Sequence, residues 1–169
     1  GNFKDNKFEF NHETYAEFLA ALVAFGIIEE KRNASDDELT LLIKILTEEK
    51  FQITRMFLNE KLENFKPESF QILLSARFCN FVQTDSNGEK VLCFSAVEGN
   101  FYLFTFILKL IKEFDREFYV KVLLTKHKNH ANFIEITNNT KNHENTEKLM
   151  VEFYSDPATS QHLLNRHEN

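Results

Sequence analysis

Phenylalanine content is the feature of this chain that most constrains its fold: 19 of the 169 residues are Phe, against four Tyr and no Trp. A Phe side chain buries roughly 150–250 Å² and carries no polar group that needs a hydrogen-bond partner. Lys and Asn are also abundant, as expected of an A/T-rich coding sequence, but that bias would raise Tyr as well. We therefore interpret the Phe excess as partly selected for dry packing.

Length and composition predict one globular domain over residues 1–169. Folding at this length buries about 70% of the surface that the unfolded chain exposes. Only four Gly and two Pro are present, which predicts long regular elements with few tight turns. The apolar run 101–108, which Thr105 interrupts, is far shorter than the roughly 20 residues of a spanning helix, so no transmembrane segment is predicted.

The charge balance disfavours a nucleic-acid partner. The formal net charge is −6 at pH 7, and the densest basic cluster is the short run 126–128. Proteins that bind the phosphate backbone usually present a basic stripe. We therefore expect the partner to be another protein or a second copy of this chain, with a small apolar ligand as an alternative.

Residues 11–75 are predicted to be mostly helical. Asn11 is a candidate N-cap of a first helix, which we expect to end at Gly26. Its predicted apolar face consists of Tyr15, Phe18, Leu19, Leu22 and Val23.

Two further helical signals follow in this half. Ser35 and Glu38 have the spacing of a capping box, which starts a helix. No Gly or Pro interrupts 35–66, so this stretch is either one kinked helix or two. Pro67 is predicted to open a short helix that reaches Leu74.

Residues 77–137 are predicted to form a hairpin, a helix and a second hairpin. Asn87-Gly88 favours a type I′ turn between strands 77–84 and 90–97, and Gly99-Asn100 closes that hairpin. The helix over 100–114 is the most apolar in the chain, with its polar residues on one narrow stripe. The second hairpin pairs 117–125 with 131–137, and 138–169 is expected to be a loop with a short C-terminal helix or tail.

These elements predict an α+β fold. An N-terminal helical layer would pack on a small antiparallel sheet made of two hairpins that flank the buried helix 100–114.

No motif indicates catalysis or a cofactor. The chain has no glycine-rich phosphate loop and no nucleophile elbow. His127, His130 and His143 lack the spacing of a metal site, so no metal and no cofactor are predicted. We expect a protein that is not an enzyme.

The two cysteines are expected to remain reduced. Cys79 and Cys93 would point to opposite faces of the predicted hairpin, which disfavours a disulfide between them in that register. Unbridged cysteines are typical of a reducing compartment, and this predicts a cytoplasmic protein.

The function that the sequence favours is a non-catalytic protein-interaction module, such as an adaptor, an immunity-type inhibitor or a secretion chaperone. Its predicted apolar binding surface consists of Phe81, Phe94, Phe101, Phe104, Phe106, Phe114 and Phe118. One alternative is a small-molecule or lipid-binding domain with an internal apolar cavity. A winged-helix nucleic-acid binder is a further alternative, although the predicted wing at 85–90 is not basic.

Overall fold

The computed structural model describes residues 12–29, 34–66 and 87–124, together with the separate positions 151, 155–157 and 161. This part of the chain is mainly helical and contains no strand. In chain order the helices are α1 (His12–Glu29), α2 (Asp36–Thr47), a short 3-10 helix (Glu49–Phe51), α3 (Gln52–Leu62), α4 (Asn87–Val97), α5 (Phe101–Phe114) and α6 (Arg116–Leu124). The prediction of an α+β fold with an antiparallel sheet is therefore wrong.

The first predicted hairpin is replaced by helix α4, which Asn87-Gly88 opens. Among the described side chains 92–97 of α4, the buried ones are Leu92, Ser95 and Ala96, at the three- and four-residue spacing of one helix face. The run 91–97 is apolar on both alternating faces, and so short an apolar run does not distinguish a strand from a helix. The proposed partner strand, 77–84, lies outside the described residues.

Gly99 terminates α4 rather than closing a hairpin. Its φ is 73°, a left-handed conformation that glycine adopts without steric cost. The amide of Asn100 donates to the carbonyl of Ser95 at 2.9 Å, and the amide of Gly99 donates to the carbonyl of Ala96 at 3.2 Å. These two bonds form the Schellman motif that ends many helices.

The second predicted hairpin is also wrong, because 116–124 form α6. Asp115 separates α5 from α6, and its Oδ1 accepts a hydrogen bond from the amide of Phe118 at 2.9 Å. An aspartate in this position caps a helix N-terminus. The predicted strand 131–137 and the predicted helix 67–74 lie outside the described residues.

Several helix predictions are confirmed. At the start of α2, the amide of Ser35 donates to Glu38 Oε2 at 2.7 Å, and the amide of Glu38 donates to Ser35 Oγ at 3.3 Å, which is the predicted capping box. The stretch 36–62 is two helices joined by the 3-10 turn, and α5 matches the predicted helix 100–114. α1 continues past Gly26 to Glu29, so its predicted end was wrong, and Asn11 lies outside the described residues.

The core forms where α5 packs against α3, α4 and α6, while α2 contacts α4 and α1 contacts α3. Phe18 of α1 meets Phe57 of α3 edge to face at 5.3 Å, and Phe25 meets Phe65 at 5.6 Å. Residue numbers rise together along this contact, so α1 and α3 run in the same direction.

Fully buried side chains at the centre include Ile45, Leu58, Leu92, Phe104 and Ile107. None of the described helices is long and apolar enough to cross a membrane.

Candidate interaction surface

Helix α1 exposes a row of large apolar side chains. Tyr15, Leu19 and Val23 are 52%, 42% and 51% exposed, and their four-residue spacing places them on one side of the helix. We call these three residues the α1 stripe. The opposite side of α1 is buried in the core through Ala21, Ala24, Ile27 and Ile28.

Charge is absent from the larger part of α1, residues 18–28. Its acidic residues are Glu13, Glu17 and Glu29, it has no Lys or Arg, and 18–28 contain no charged residue. A helix that is apolar on all sides is normally buried on all sides. The α1 stripe departs from that rule, because one side of an apolar helix remains in contact with solvent.

Gly26 extends the open side of α1 by one further turn. It follows Val23 by three residues, which places it beside the α1 stripe. A Cβ atom built on Gly26 would meet no atom within 4 Å, so this end of the helix surface is open.

Exposed apolar residues also occur on α3, beside the contact between α1 and α3. Ile53 and Met56 are both exposed. Tyr15 precedes Phe18 by three residues and Ile53 precedes Phe57 by four, so each is a helix-surface neighbour of one ring of the Phe18–Phe57 pair. That pair therefore joins the α1 stripe to the exposed apolar residues of α3.

The Phe residues predicted as a binding surface lie mainly around α5. Phe104 is completely buried, while Phe101, Phe106 and Phe118 are partly buried and packed against the core. Phe94 is partly buried, and the Arg55 guanidinium lies 4.4 Å from the centre of its ring. Phe114 is the last residue of α5, and Phe81 lies outside the described residues.

Sequence reasoning assigned the α1 stripe to a core-facing side of the first helix. The spacing of its residues is helical, but Ala21, Ala24, Ile27 and Ile28 repeat with the same period on the other side. The lack of any polar side on this helix could have indicated that one of its two apolar sides stays exposed, but not which one. A helix with two apolar sides and one layer of neighbours leaves one side exposed.

A buried charge cluster joins α2, α3 and the end of α4. Arg55 is fully buried, and its Nε and Nη2 donate to the Glu98 carboxylate. Its Nη1 donates to the carbonyls of Ile45 at 2.8 Å and Glu48 at 2.7 Å. All three guanidinium nitrogens are thus engaged within the protein, so this cluster holds the helices together and offers no group to a substrate.

A second charge cluster involves Asp156. Its carboxylate is buried and accepts from Lys112 Nζ at 2.9 Å and from Arg116 Nη2 at 3.2 Å. Both cations come from the end of α5 and the start of α6. The cluster fixes position 156 beside the junction of these two helices.

No metal site is assembled in the described ranges 12–29, 34–66 and 87–124. They contain no group of three or more His, Cys, Asp or Glu side chains that could hold a metal ion. Cys93 lies partly buried on α4, whereas Cys79 and the candidates His127, His130 and His143 lie outside the described residues.

The winged-helix alternative loses its basis, because the segment proposed as its wing includes the start of α4.

We compared the whole chain with protein-family models, with curated proteins and with solved structures, and none of them matches it.

Proposed function

We propose that this chain is a non-catalytic protein-interaction module that binds its partner through the α1 stripe. The observation that carries the proposal is the exposure of Tyr15, Leu19 and Val23 as one row on an uncharged helix surface. Single exposed apolar residues are normal on soluble proteins, but a contiguous row indicates a binding surface.

Burial of the α1 stripe would contribute part of the free energy that recognition needs. Full burial of one large apolar side chain contributes about 1.5–3 kcal/mol, and these three are already about half buried. Completing their burial therefore contributes roughly 2–4 kcal/mol in total. Tyr15 adds an aromatic anchor of the type that is enriched among residues dominating interface energies.

The stripe is also held in position before binding. The other side of α1 is packed into the core, Phe18 contacts Phe57 of α3, and Phe25 contacts Phe65, which follows α3 in the chain. A surface that is already ordered loses little conformational entropy on association, which leaves more of the burial energy as affinity.

A photo-crosslinking experiment tests this proposal. The photoreactive residue p-benzoylphenylalanine is placed at position 19 in the α1 stripe or, as a control, at position 44, where Lys44 is exposed on α2. We expect a discrete protein adduct from position 19 in cells and none from position 44. The proposal is overturned if position 19 yields no adduct, or if the two positions yield the same adducts.

A further inference from the structure

We propose that the carboxylate of Asp156 is a strap that holds α6 on α5, so that α6 opens on its own when the charge at position 156 is lost. The strap is the contact of Asp156 with Lys112 and Arg116, where three charged side chains meet at the junction of the two helices. It does not involve α1, and it is a conformational device beyond the function proposed above.

Helix α6 has little support of its own. It contains nine residues, and isolated helices shorter than about 12–15 residues are marginal in water. Among the described helices, α6 packs chiefly on α5, whereas α5 also packs on α3 and α4. Of the described α6 side chains, 116–121, only Tyr119 and Val120 are buried. A short helix that rests mainly on one neighbour needs a further contact to stay docked.

Asp156 supplies such a contact from a distant part of the chain. Its Oδ2 lies 2.9 Å from Lys112 Nζ on α5 and 3.2 Å from Arg116 Nη2 on α6. One oxygen therefore bridges the two helices across Asp115, the single residue between them. Lys112 Nζ also lies 5.4 Å from the centre of the Tyr119 ring, so the ammonium group that the carboxylate holds in place contacts α6 as well.

Without the carboxylate, the charges at the junction would oppose docking. Lys112 and Arg116 both lie within hydrogen-bond distance of one oxygen, so the two cations are close neighbours and repel each other once that oxygen loses its charge. The Lys112 side chain is mostly buried, and a buried charge that has lost its counter-ion is strongly destabilising.

The strap is made by the one buried residue among the described C-terminal positions. Asp156 is buried, whereas positions 151, 155, 157 and 161 are exposed. Opening of α6 would expose Tyr119 and Val120, which are each only 3% exposed in the docked helix. The charge at position 156 therefore controls an apolar surface that the docked helix hides.

Hydrogen exchange of the full chain, followed by mass spectrometry, tests the strap. In Asp156→Asn we expect the amides of 116–121 to exchange about tenfold faster or more, while those of α3 and α4 keep their wild-type rates. Asp156→Glu keeps the charge and should retain more protection of α6 than Asp156→Asn. The matched control is Glu117→Gln, which neutralises an exposed carboxylate on α6 itself and should change exchange by no more than about twofold.

Four results would overturn the strap. Unchanged exchange of α6 in Asp156→Asn would show that the helix is held without the carboxylate. Equal losses in Asp156→Asn and Asp156→Glu would show that shape rather than charge matters. An equal effect of Glu117→Gln would show that the position of the charge is irrelevant. Faster exchange throughout α3 and α4, or a variant that circular dichroism shows to be unfolded, would show that Asp156 stabilises the whole fold rather than α6.

Discussion

Arg55 and Glu98 form an ion pair in the interior, between residues 43 positions apart in sequence. The two shortest contacts join Nη2 to Oε1 at 2.5 Å and Nε to Oε2 at 2.9 Å. Asn100 Nδ2 donates to the same carboxylate at 3.0 Å, and the ring of Phe94 lies against the guanidinium. Charges removed from water in this way are stable only while each has its partner.

We expect Glu98→Ala to lower the free energy of unfolding by about 3–5 kcal/mol, because it leaves the buried guanidinium without a counter-charge. Adding Arg55→Met to that variant removes the uncompensated charge. The double variant should therefore be less destabilised than the two single losses added together. Urea unfolding followed by circular dichroism measures all three.

The matched control for this charge pair is Glu63→Ala. Glu63 accepts a hydrogen bond from the Tyr102 hydroxyl at 3.2 Å on the surface. An exposed contact of this kind should change stability by no more than about 0.5 kcal/mol. Strict additivity of the Arg55 and Glu98 substitutions would contradict the proposed coupling.

Replacing Thr54 should raise the stability of the folded chain. Its Oγ1 is buried and has no hydrogen-bond partner among the described residues. An unsatisfied buried polar group costs about 1–3 kcal/mol, and Val has the same shape without the hydroxyl. Thr54→Val should therefore raise the free energy of unfolding by about 1 kcal/mol or more, measured by chemical denaturation.

Thr105→Val is the comparison for Thr54→Val. The Thr105 hydroxyl donates to the carbonyls of Phe101 at 3.0 Å and Tyr102 at 3.1 Å, so the same change removes bonds that are made. We expect no gain in stability at position 105. A gain of similar size at both positions would show that the effect is one of helix propensity rather than of an unsatisfied hydroxyl.

Asn59 caps a helix to which it does not belong. Its Oδ1 accepts from the amide of Leu103, in the first turn of α5, at 3.0 Å. The side chain of Asn100, at the cap position itself, makes no capping bond to α5. Asn59→Ala should cost about 1 kcal/mol in unfolding free energy, as the loss of a cap does. Asn59→Asp keeps the acceptor and adds a charge that suits a helix N-terminus, so it should retain stability. Equal losses in the two variants would contradict the capping role.

Lys112 and Arg116, which both form ion pairs with Asp156, should contribute unequally to the free energy of unfolding. The Lys112 side chain is 24% exposed and that of Arg116 is 62% exposed. Lys112→Met should cost about 1.5–3 kcal/mol, in the range of a bond to a charged group. Arg116→Met should change stability by no more than about 0.5 kcal/mol, because water and salt screen an exposed pair. Denaturation at low and high ionic strength tests this, and the reverse order would contradict it.

Local signals in the sequence predicted the start of α2 and the position of α5, but not the end of α1 or the type of element at α4 and α6. The capping box at Ser35 and the apolar helix 101–114 are both present, because each depends on residues within one or two turns. Asn87-Gly88 favours a hairpin turn only when strands flank it, and α4 shows that the flanking run is helical. Gly99 could have indicated that 87–97 are helical, because a glycine just after an apolar run also marks a helix end.

The candidate surface could be predicted only in part. Composition predicted dry packing by the Phe residues, and the predicted binding surface was assigned to Phe residues between positions 81 and 118. In the described residues many Phe rings are partly or fully buried, and Tyr15, Leu19 and Val23 are exposed instead. Which side of α1 faces the core depends on where α3 packs, and that long-range contact leaves no trace in local spacing.

The arrangement around Arg55 has a consequence for how the chain unfolds. The guanidinium needs carbonyls from the end of α2 and a carboxylate from the end of α4, while its own backbone belongs to α3. If α4 separates while α2 and α3 stay together, the charge loses its counter-ion inside an apolar layer. That penalty suppresses partly unfolded states, so we expect 34–66 and 87–124 to unfold in a single cooperative transition.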